Sequence, residues 1–538
     1  MQRVPRDYSP ERPGDELRAL NRGDDGNLRF LDLPNKGLPL SNASSSSDFL
    51  REDTSPIFRA GVRIAPAGVT GKLALAIAAA AFGSSFQHGY NTGVVNAPQA
   101  LISQFINETN FARTGEYMEE SRITFIWSWT VSIFCVGGIV GALLTGLIAD
   151  KLGRKNGLLW NNVPVLIAVI LEGFSKSCGS YEMLIAGRFF IGFNSGLNAG
   201  LAPMYLAEIS PMHLRGAVGT MYQLVVTISI LVSQILGLES LLGTENKWPW
   251  LLAATIIPAF FQICTLPLCP ESPKFTLLNQ GKEIEAQRAL TWLRGTIEVH
   301  DELDEMRAEY EQMKSMPTVT LKEMLCSPAL RMPLIIACMM MLAQQLSGIN
   351  AVIFFSTKIF TSAGLDENTA RVATLGMGTC NVIMTVVSLV MVEKAGRKTL
   401  MLFGLSGMCV DVILLFFCIQ FKEIGWVSYV SIFLVIFFVV MFASGPGSIP
   451  WFLVSELFSQ GARPMATSIA VAVNWIANFV VGLSFLPLLG LVDAYVFIIF
   501  AGLLGFFIVF TYFKVPETKG KTVEEISALF RQRGYTQG

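Results

Sequence analysis

The sequence predicts an all-α membrane protein with twelve transmembrane helices in two six-helix bundles, joined by a helical linker on the cytosolic face. Three observations carry that reading. The 538-residue chain is 52% hydrophobic and 15% charged, with a mean hydropathy of +0.50, whereas a soluble domain carries about 25% charged residues. Apolar runs near the ~20 residues needed to cross a bilayer occur six times, pause, and occur six times more. Charged motifs also recur across the pause at a nearly constant offset.

In chain order, residues 1–70 are charged, Pro-rich and Ser-rich, which predicts a disordered cytosolic tail. They open with no basic, apolar and cleavage-site succession, so no secretory signal is expected. The first bundle is assigned to 71–269, with spans near 73–96, 124–149, 157–177, 183–204, 216–238 and 248–268. Residues 270–330 are charged and helix-prone and read as a linker, with Ala286, Leu290, Trp292 and Leu293 forming an apolar stripe. The second bundle is assigned to 331–514, with spans near 332–355, 372–392, 399–421, 425–455, 465–492 and 494–513. A cytosolic tail, 515–538, follows.

Lys and Arg in the short connections set the orientation. Lys151, Arg154 and Lys155 follow the second span, and Lys394, Arg397 and Lys398 follow the eighth. Both groups fall on the side of the linker and both termini, which is therefore expected in the cytosol. The first loop then faces outward, and it carries the glycosylation sequon Asn107-Glu108-Thr109.

The repeat is readable residue by residue. DKLGRK begins at Asp150 and EKAGRK at Glu393, 243 positions later. EISPMHLR runs from Glu208 to Arg215, and ELFSQGAR from Glu456 to Arg463, an offset of 248; PES and PET, at Pro270 and Pro516, differ by 246. Parallel duplication of this kind is how two-bundle transporters are built, with a site at the midplane between the halves. Asp150, Arg154, Glu208, Arg215, Glu393, Arg397, Glu456 and Arg463 lie where spans meet the cytosol and are read as a gate holding the bundles together there. Arg188 lies within the fourth span and needs an acid; Glu208 is the expected partner. Glycines 192, 196 and 200 predict close helix packing.

The uncharged polar residues point to the ligand. Gln87 and Asn91 lie four apart in the first span, and Gln223 shares a face with Thr227 in the fifth. Gln344, Gln345 and Asn350 flank Ser347-Gly348, where the seventh helix is expected to break. Asn381 lies in the eighth span, and Trp451 follows Gly445-Pro446-Gly447-Ser448-Ile449-Pro450, which must bend the tenth. Asn474, Trp475 and Asn478 lie in the eleventh. Amides both donate and accept, as the hydroxyls of a neutral polyol require, and aromatic rings suit the C–H face of a sugar.

Other classes find less support. A net charge of −1 gives no footprint for nucleic acid. Nine scattered cysteines and three distant histidines supply no metal-ligand spacing, so no metal or other cofactor is expected. No nucleophile elbow is present, and the GKT at Gly520–Thr522 has Val515 where a nucleotide-binding loop needs glycine, so neither an enzyme nor a nucleotide requirement is expected. A channel does not need paired gates at a repeat offset, while a non-transporting sugar sensor on this scaffold stays open.

The stretches QHGYNTGVVNAPQ, DKLGRK, PMYLAEISP, PESPKF, QQLSGINAV, VEKAGRKTL, GPGSIPWF, ELFSQGARP and VPETKGKT together resemble the animal facilitative hexose transporters of the major facilitator superfamily, over roughly residues 75 to 525. The resemblance implies passive uniport of a monosaccharide across the plasma membrane by alternating access. It implies sugar contacts at Gln223, Gln344, Gln345, Asn350, Asn381, Trp451 and Asn474, and an outer pathway lined by Tyr90, Asn91 and Asn96. Proton-coupled relatives tend to carry Asp where this chain has Asn91, which favours uniport. Trp451 and Asn474 look glucose-like, whereas Met341 and Ala443 resemble fructose-handling members. The expected substrate is therefore D-glucose, with fructose or mixed hexoses as the alternative.

Overall fold

The computed structural model describes residues 68–459 and 461–536, except for the side chains of Glu393 and 534–536. Residues 1–67 of the expected tail thus lie outside the described residues. Among those described, every regular element is helical.

Among the described residues, nine helical stretches are long and apolar enough to cross a membrane, from Glu120–Leu152 to Tyr495–Lys514. Three further regions complete the order of twelve, and each shows why a length-and-hydropathy rule passes it over. The first span is split by a π-helical turn, Ala81–Ser85, between Gly71–Ala80 and Phe86–Gly93. The third is divided at Asn161 into Arg154–Trp160 and Asn162–Gly173. The fourth, Tyr181–Ile209, is long enough but buries Arg188, Asn194, Ser195 and Asn198.

Small residues bring the helices together, since lipid offers no hydrophobic drive for helix association. The second and fourth spans pack so closely that a Cβ on Gly196 would overlap the backbone of Gly138. The bundles meet where the second span packs on the eleventh, Arg463–Val492, and the fifth, Arg215–Leu236, on the eighth, Glu367–Ala395.

Both expected breaks are present. The seventh span consists of Pro328–Leu346 and Ile349–Ser362, separated at Gly348, whose φ of 95° is the left-handed geometry that favours glycine. The tenth consists of Val427–Ser444 and Ile449–Leu457, with the Gly445-Pro446-Gly447 stretch between them. Proline removes a backbone donor and strands carbonyls of the preceding turn.

The linker forms the short helices Pro273–Leu278, Glu283–Arg294, His300–Ser315 and Leu321–Cys326. Leu277, Ala286, Leu290, Val299, Leu303 and Met306 give it a small core. Arg294, nearly buried, pairs with Glu302 (2.9 Å) and donates to the Ile209 carbonyl (2.7 Å), capping the end of the fourth span.

Candidate functional site

The breaks create the site. Carbonyls of Pro446 and Gly447, freed at the bend in the tenth span, accept from Gln344 Nε2 at 3.0 and 2.9 Å. Gln344 Oε1 in turn accepts from Asn474 Nδ2 (2.7 Å), and Gln345 Nε2 donates to Asn474 Oδ1 (3.1 Å). Asn350, just past the break in the seventh span, donates to Gln345 Oε1. Gln344, Gln345, Asn350 and Asn474 therefore form one connected set of amides, with the Met341 thioether 3.5 Å from Asn474 Nδ2. No charged side chain takes part.

Of the other residues expected to touch a ligand, Trp451 is 43% exposed on Ile449–Leu457, directly after the bend. Gln223 is exposed, and Asn381 is half-buried on the eighth span, which packs on the fifth. The structure adds Trp475, which the sequence reading noted without assigning a role. It belongs to the second bundle but reaches the first, stacking on His88 (centroids 6.2 Å, 27°) and tilting against Phe134 (6.2 Å). Gly138 leaves room for its ring: a Cβ there would come within 2.6 Å of it. His88 Nδ1 lies 3.0 Å from the Tyr222 hydroxyl.

The amides of the first bundle behave differently. Gln87 and Asn91 share a helical face, but that face points into the bundle. Gln87 Nε2 donates to Asn162 Oδ1 (3.2 Å), and Asn91 Nδ2 donates to the Gln87 carbonyl (2.8 Å) and Thr255 Oγ1 (3.0 Å). Asn162 continues to Gln262 (2.9 Å), and Gln262 to Ser84 Oγ (2.7 Å) in the π-helical turn. A second cluster joins Asn161 to Asn198 (2.8 Å) and Asn198 to Asn194 (3.1 Å). These side chains are buried and cement helices to one another. Tyr90 is likewise buried, donating to the Leu251 carbonyl at 2.5 Å.

Asn96 is the member of the expected outer set that crosses between bundles. It donates to Ser356 Oγ and accepts from the Thr357 backbone N–H at 3.1 Å. Ser356 also lies 3.1 Å from Thr374 Oγ1. Nearby, Arg371 of the eighth span donates to the Gly243 carbonyl (3.2 Å) while pairing with Glu367 (3.2 Å). At this end, opposite the linker, the bundles are bonded together. Asn107, in the helix Gln99–Thr114, is half-buried and accepts from the Met118 N–H (2.9 Å).

The linker end contrasts with it. Arg154 Nε lies 3.0 Å from Glu208, whose other contact is the Ser272 hydroxyl, and Glu271 accepts the N–H groups of Arg154 (3.1 Å) and Lys155 (2.9 Å). The second bundle repeats the arrangement: Arg397 lies 2.9 Å from Glu456, Glu456 holds the Thr518 hydroxyl, and Glu517 accepts the N–H groups of Arg397 (3.0 Å) and Lys398 (3.2 Å). Each cluster ties three spans of its own bundle.

Two expectations need correction here. The pairs are formed within a bundle: among the described residues, no ion pair joins Glu208 to Arg463 or Glu456 to Arg215. Arg215 instead approaches Met212 Sδ (3.5 Å), Arg463 donates to the Phe458 carbonyl (3.2 Å), and neither has an acid partner among the described residues. Asp150 is exposed, and the Glu393 side chain lies outside the described residues. Nor does Arg188 reach Glu208. Both lie on Tyr181–Ile209, twenty residues apart, which at ~1.5 Å per residue separates them by ~30 Å. Arg188 is buried in the first bundle, donating to the Asn91 carbonyl (2.9 Å) and lying over the Phe134 ring (4.7 Å), in the field of the buried Glu172.

Comparison with known proteins identifies the family and the fold. The profile of the family described as Sugar (and other) transporter matches residues 76–530. The chain is 47% identical over 470 residues to facilitated glucose transporter member 1 of solute carrier family 2 from Gallus gallus, covering 87% of this chain and 95% of the relative. It is 48% identical over 471 residues to facilitated glucose transporter protein 1 of Caenorhabditis elegans, covering 86% and 92%. Its fold is similar to that of the xylose transporter XylE of E. coli in a partially occluded inward-open conformation, with a TM-score of 0.71 at 24% identity, covering 84% of this chain and all of that one. An inward-open structure of XylE gives a TM-score of 0.70 at 25% identity, covering 84% and 98%.

Proposed function

The chain belongs to the sugar transporter family, and from that premise we propose that it carries D-glucose passively across the plasma membrane by alternating access. Both termini and the linker face the cytosol in this reading, and the first loop, with Asn107, faces outward. The observation that carries the proposal is the uncharged amide set Gln344–Gln345–Asn350–Asn474, assembled at two helix breaks and connected to the backbone of one of them. A hexose offers hydroxyls that both donate and accept, which is what amides match. An ionic substrate would need a fixed counter-charge.

We read the bonds between bundles opposite the linker, with no hydrogen bond or ion pair between bundles at the linker end among the described residues, as an inward-facing state. Sugar held by Gln344, Gln345, Asn350 and Asn474, with Gln223, Asn381 and Trp451 on the open side, leaves towards the linker. Return requires the Asn96–Ser356–Thr357 contacts to part. Arg215 and Arg463, without acid partners among the described residues, then reach across to Glu456 and Glu208 and close the inner face. Tyr90 and Asn91 hold the first span at the height that lets Asn96 make its lock. Each bond exchanged between water and amide contributes about 0.5–1.5 kcal/mol net, so sugar is held weakly enough to be released.

The test is uptake of labelled D-glucose into proteoliposomes of the purified protein, with excess unlabelled D-fructose and with or without an inward proton gradient. Uptake that equilibrates, ignores the gradient and is lost in Gln345→Ala is expected. Accumulation driven by the gradient would refute passive transport. Strong inhibition by fructose would assign the main substrate differently and implicate Met341.

A further inference from the structure

We propose that a groove between the start of the first span and the linker helix Glu283–Arg294 holds the phosphate headgroup of an anionic lipid from the cytosolic leaflet. The inference rests on the orientation given above. Lys72, Ile284, Gln287, Arg288, Thr291 and Trp292 line the groove, whose volume is about 490 Å³; ligand sites commonly enclose ~300–1,000 Å³.

Depth is the first argument. Lys72 sits in the first turn of Gly71–Ala80, immediately before Leu73, Ala74 and Leu75, so its ammonium lies where the chain enters hydrocarbon. The linker helix is fixed at that level, because Thr70 Oγ1 donates to the Leu293 carbonyl at 2.8 Å. The Lys72 ammonium stands 5.5 Å above the Trp292 ring, and tryptophan and lysine together are characteristic of the headgroup layer.

Charge is the second. Glu283 is paired with Arg307 and Glu285 with Lys282 (3.8 Å), so neither neutralises the groove. Lys72 and Arg288 have no acid partner among the described residues. Two cations at headgroup depth suit the negative cytosolic leaflet. Gln287 and Thr291 add an amide and a hydroxyl for the ester oxygens, while Ile284, 69% exposed on a largely charged helix, offers an apolar surface to the upper acyl chain. The neighbouring residues 1–67 are a poorer occupant: they carry ten acidic and ten basic residues, so they bring no net negative charge.

The full-length protein in detergent is titrated with short-chain phosphatidylserine, or phosphatidylcholine of the same chain length, and bound lipid is counted by native mass spectrometry. One tight phosphatidylserine site, absent for phosphatidylcholine, is expected. In K72Q/R288Q its affinity should fall about thirty-fold, from ~1 kcal/mol for each cation. K72R/R288K should retain it, which separates lost charge from lost folding. Equal binding by wild type and K72Q/R288Q would overturn the proposal, and that is also the result expected if residues 1–67 fill the groove. Displacement by millimolar inorganic phosphate would overturn it in favour of a soluble anion. Glucose flux plays no part in the readout, so failure here is distinguishable from failure of the transport reading.

Discussion

Replacing Asn96 by alanine removes the two hydrogen bonds by which the first span holds the seventh: its donation to Ser356 Oγ and its acceptance from the Thr357 N–H. In the proposed alternating-access cycle both exist only while the outer end is closed, so their loss bears on one conformation alone. Buried bonds of this kind contribute about 0.5–1.5 kcal/mol each, and the pair therefore favours the closed outer end by roughly 2 kcal/mol, a factor of about thirty. An outward-open population of ~1% would rise to ~23%. The assay is distance measurement between spin labels on cysteines placed at Leu241 and Asn368, exposed positions of opposite bundles at the outer end, after replacing the exposed Cys178, Cys264 and Cys326. A second, longer distance should appear in Asn96→Ala, and about a quarter as much of it, ~5%, in Ser356→Ala, which removes one of the two bonds and so shifts the equilibrium about five-fold. An unchanged distribution in Asn96→Ala would refute the assignment of Asn96 as the outer lock.

Gln344→Ala removes the side-chain donor to the Pro446 and Gly447 carbonyls and the amide acceptor of Asn474 Nδ2; D-glucose uptake should fall about tenfold or more, by the ~1–3 kcal/mol of an unsatisfied buried group, with surface expression retained. Glu208→Gln and Glu456→Gln each weaken one half-buried arginine contact and should lower stability by about 1 kcal/mol. Similar shifts in thermal unfolding midpoint are expected for the two, and a large shift in one alone would break their equivalence. Asn107→Gln should abolish a glycan-dependent shift in gel mobility when the protein is made in animal cells, and an unshifted wild-type band would count against the outward first loop. Trp475→Ala opens a hole beside His88, Phe134 and Gly138, and a loss of about 3–5 kcal/mol should appear in chemical denaturation.

Helices and their breaks were legible because glycine and proline announce them: Gly348 takes a positive φ, and the Gly445–Pro450 stretch has too few backbone donors to continue a helix. The amides beside those breaks were legible for the same reason, since Gln344 answers the carbonyls the second break strands. What the sequence left ambiguous was direction. Gln87 and Asn91 lie four apart, which places them on one face, but periodicity does not say whether that face meets a pathway or other helices. Thr255 and Asn162 decide it. The partner was available in the text: Asn161-Asn162 and Gln262 interrupt apolar runs in the third and sixth spans and need mates of their own. Repeats misled in a related way. An offset near 246 shows that Glu208 and Glu456 are equivalent, not which arginine each one touches, and helical rise alone separates Arg188 from Glu208.

In the sugar site proposed above, the self-satisfied amides at the helix breaks have a kinetic consequence. Gln344, Gln345, Asn350 and Asn474 donate to one another and to the Pro446 and Gly447 carbonyls. In that reading an arriving hydroxyl substitutes for an existing contact, and the displaced carbonyl or amide turns to the next hydroxyl. Passage becomes a relay in which no donor is left bare between one partner and the next. Such a relay flattens the energy profile along the path and does little to deepen the well at its centre, and turnover in a passive carrier depends on the first of these.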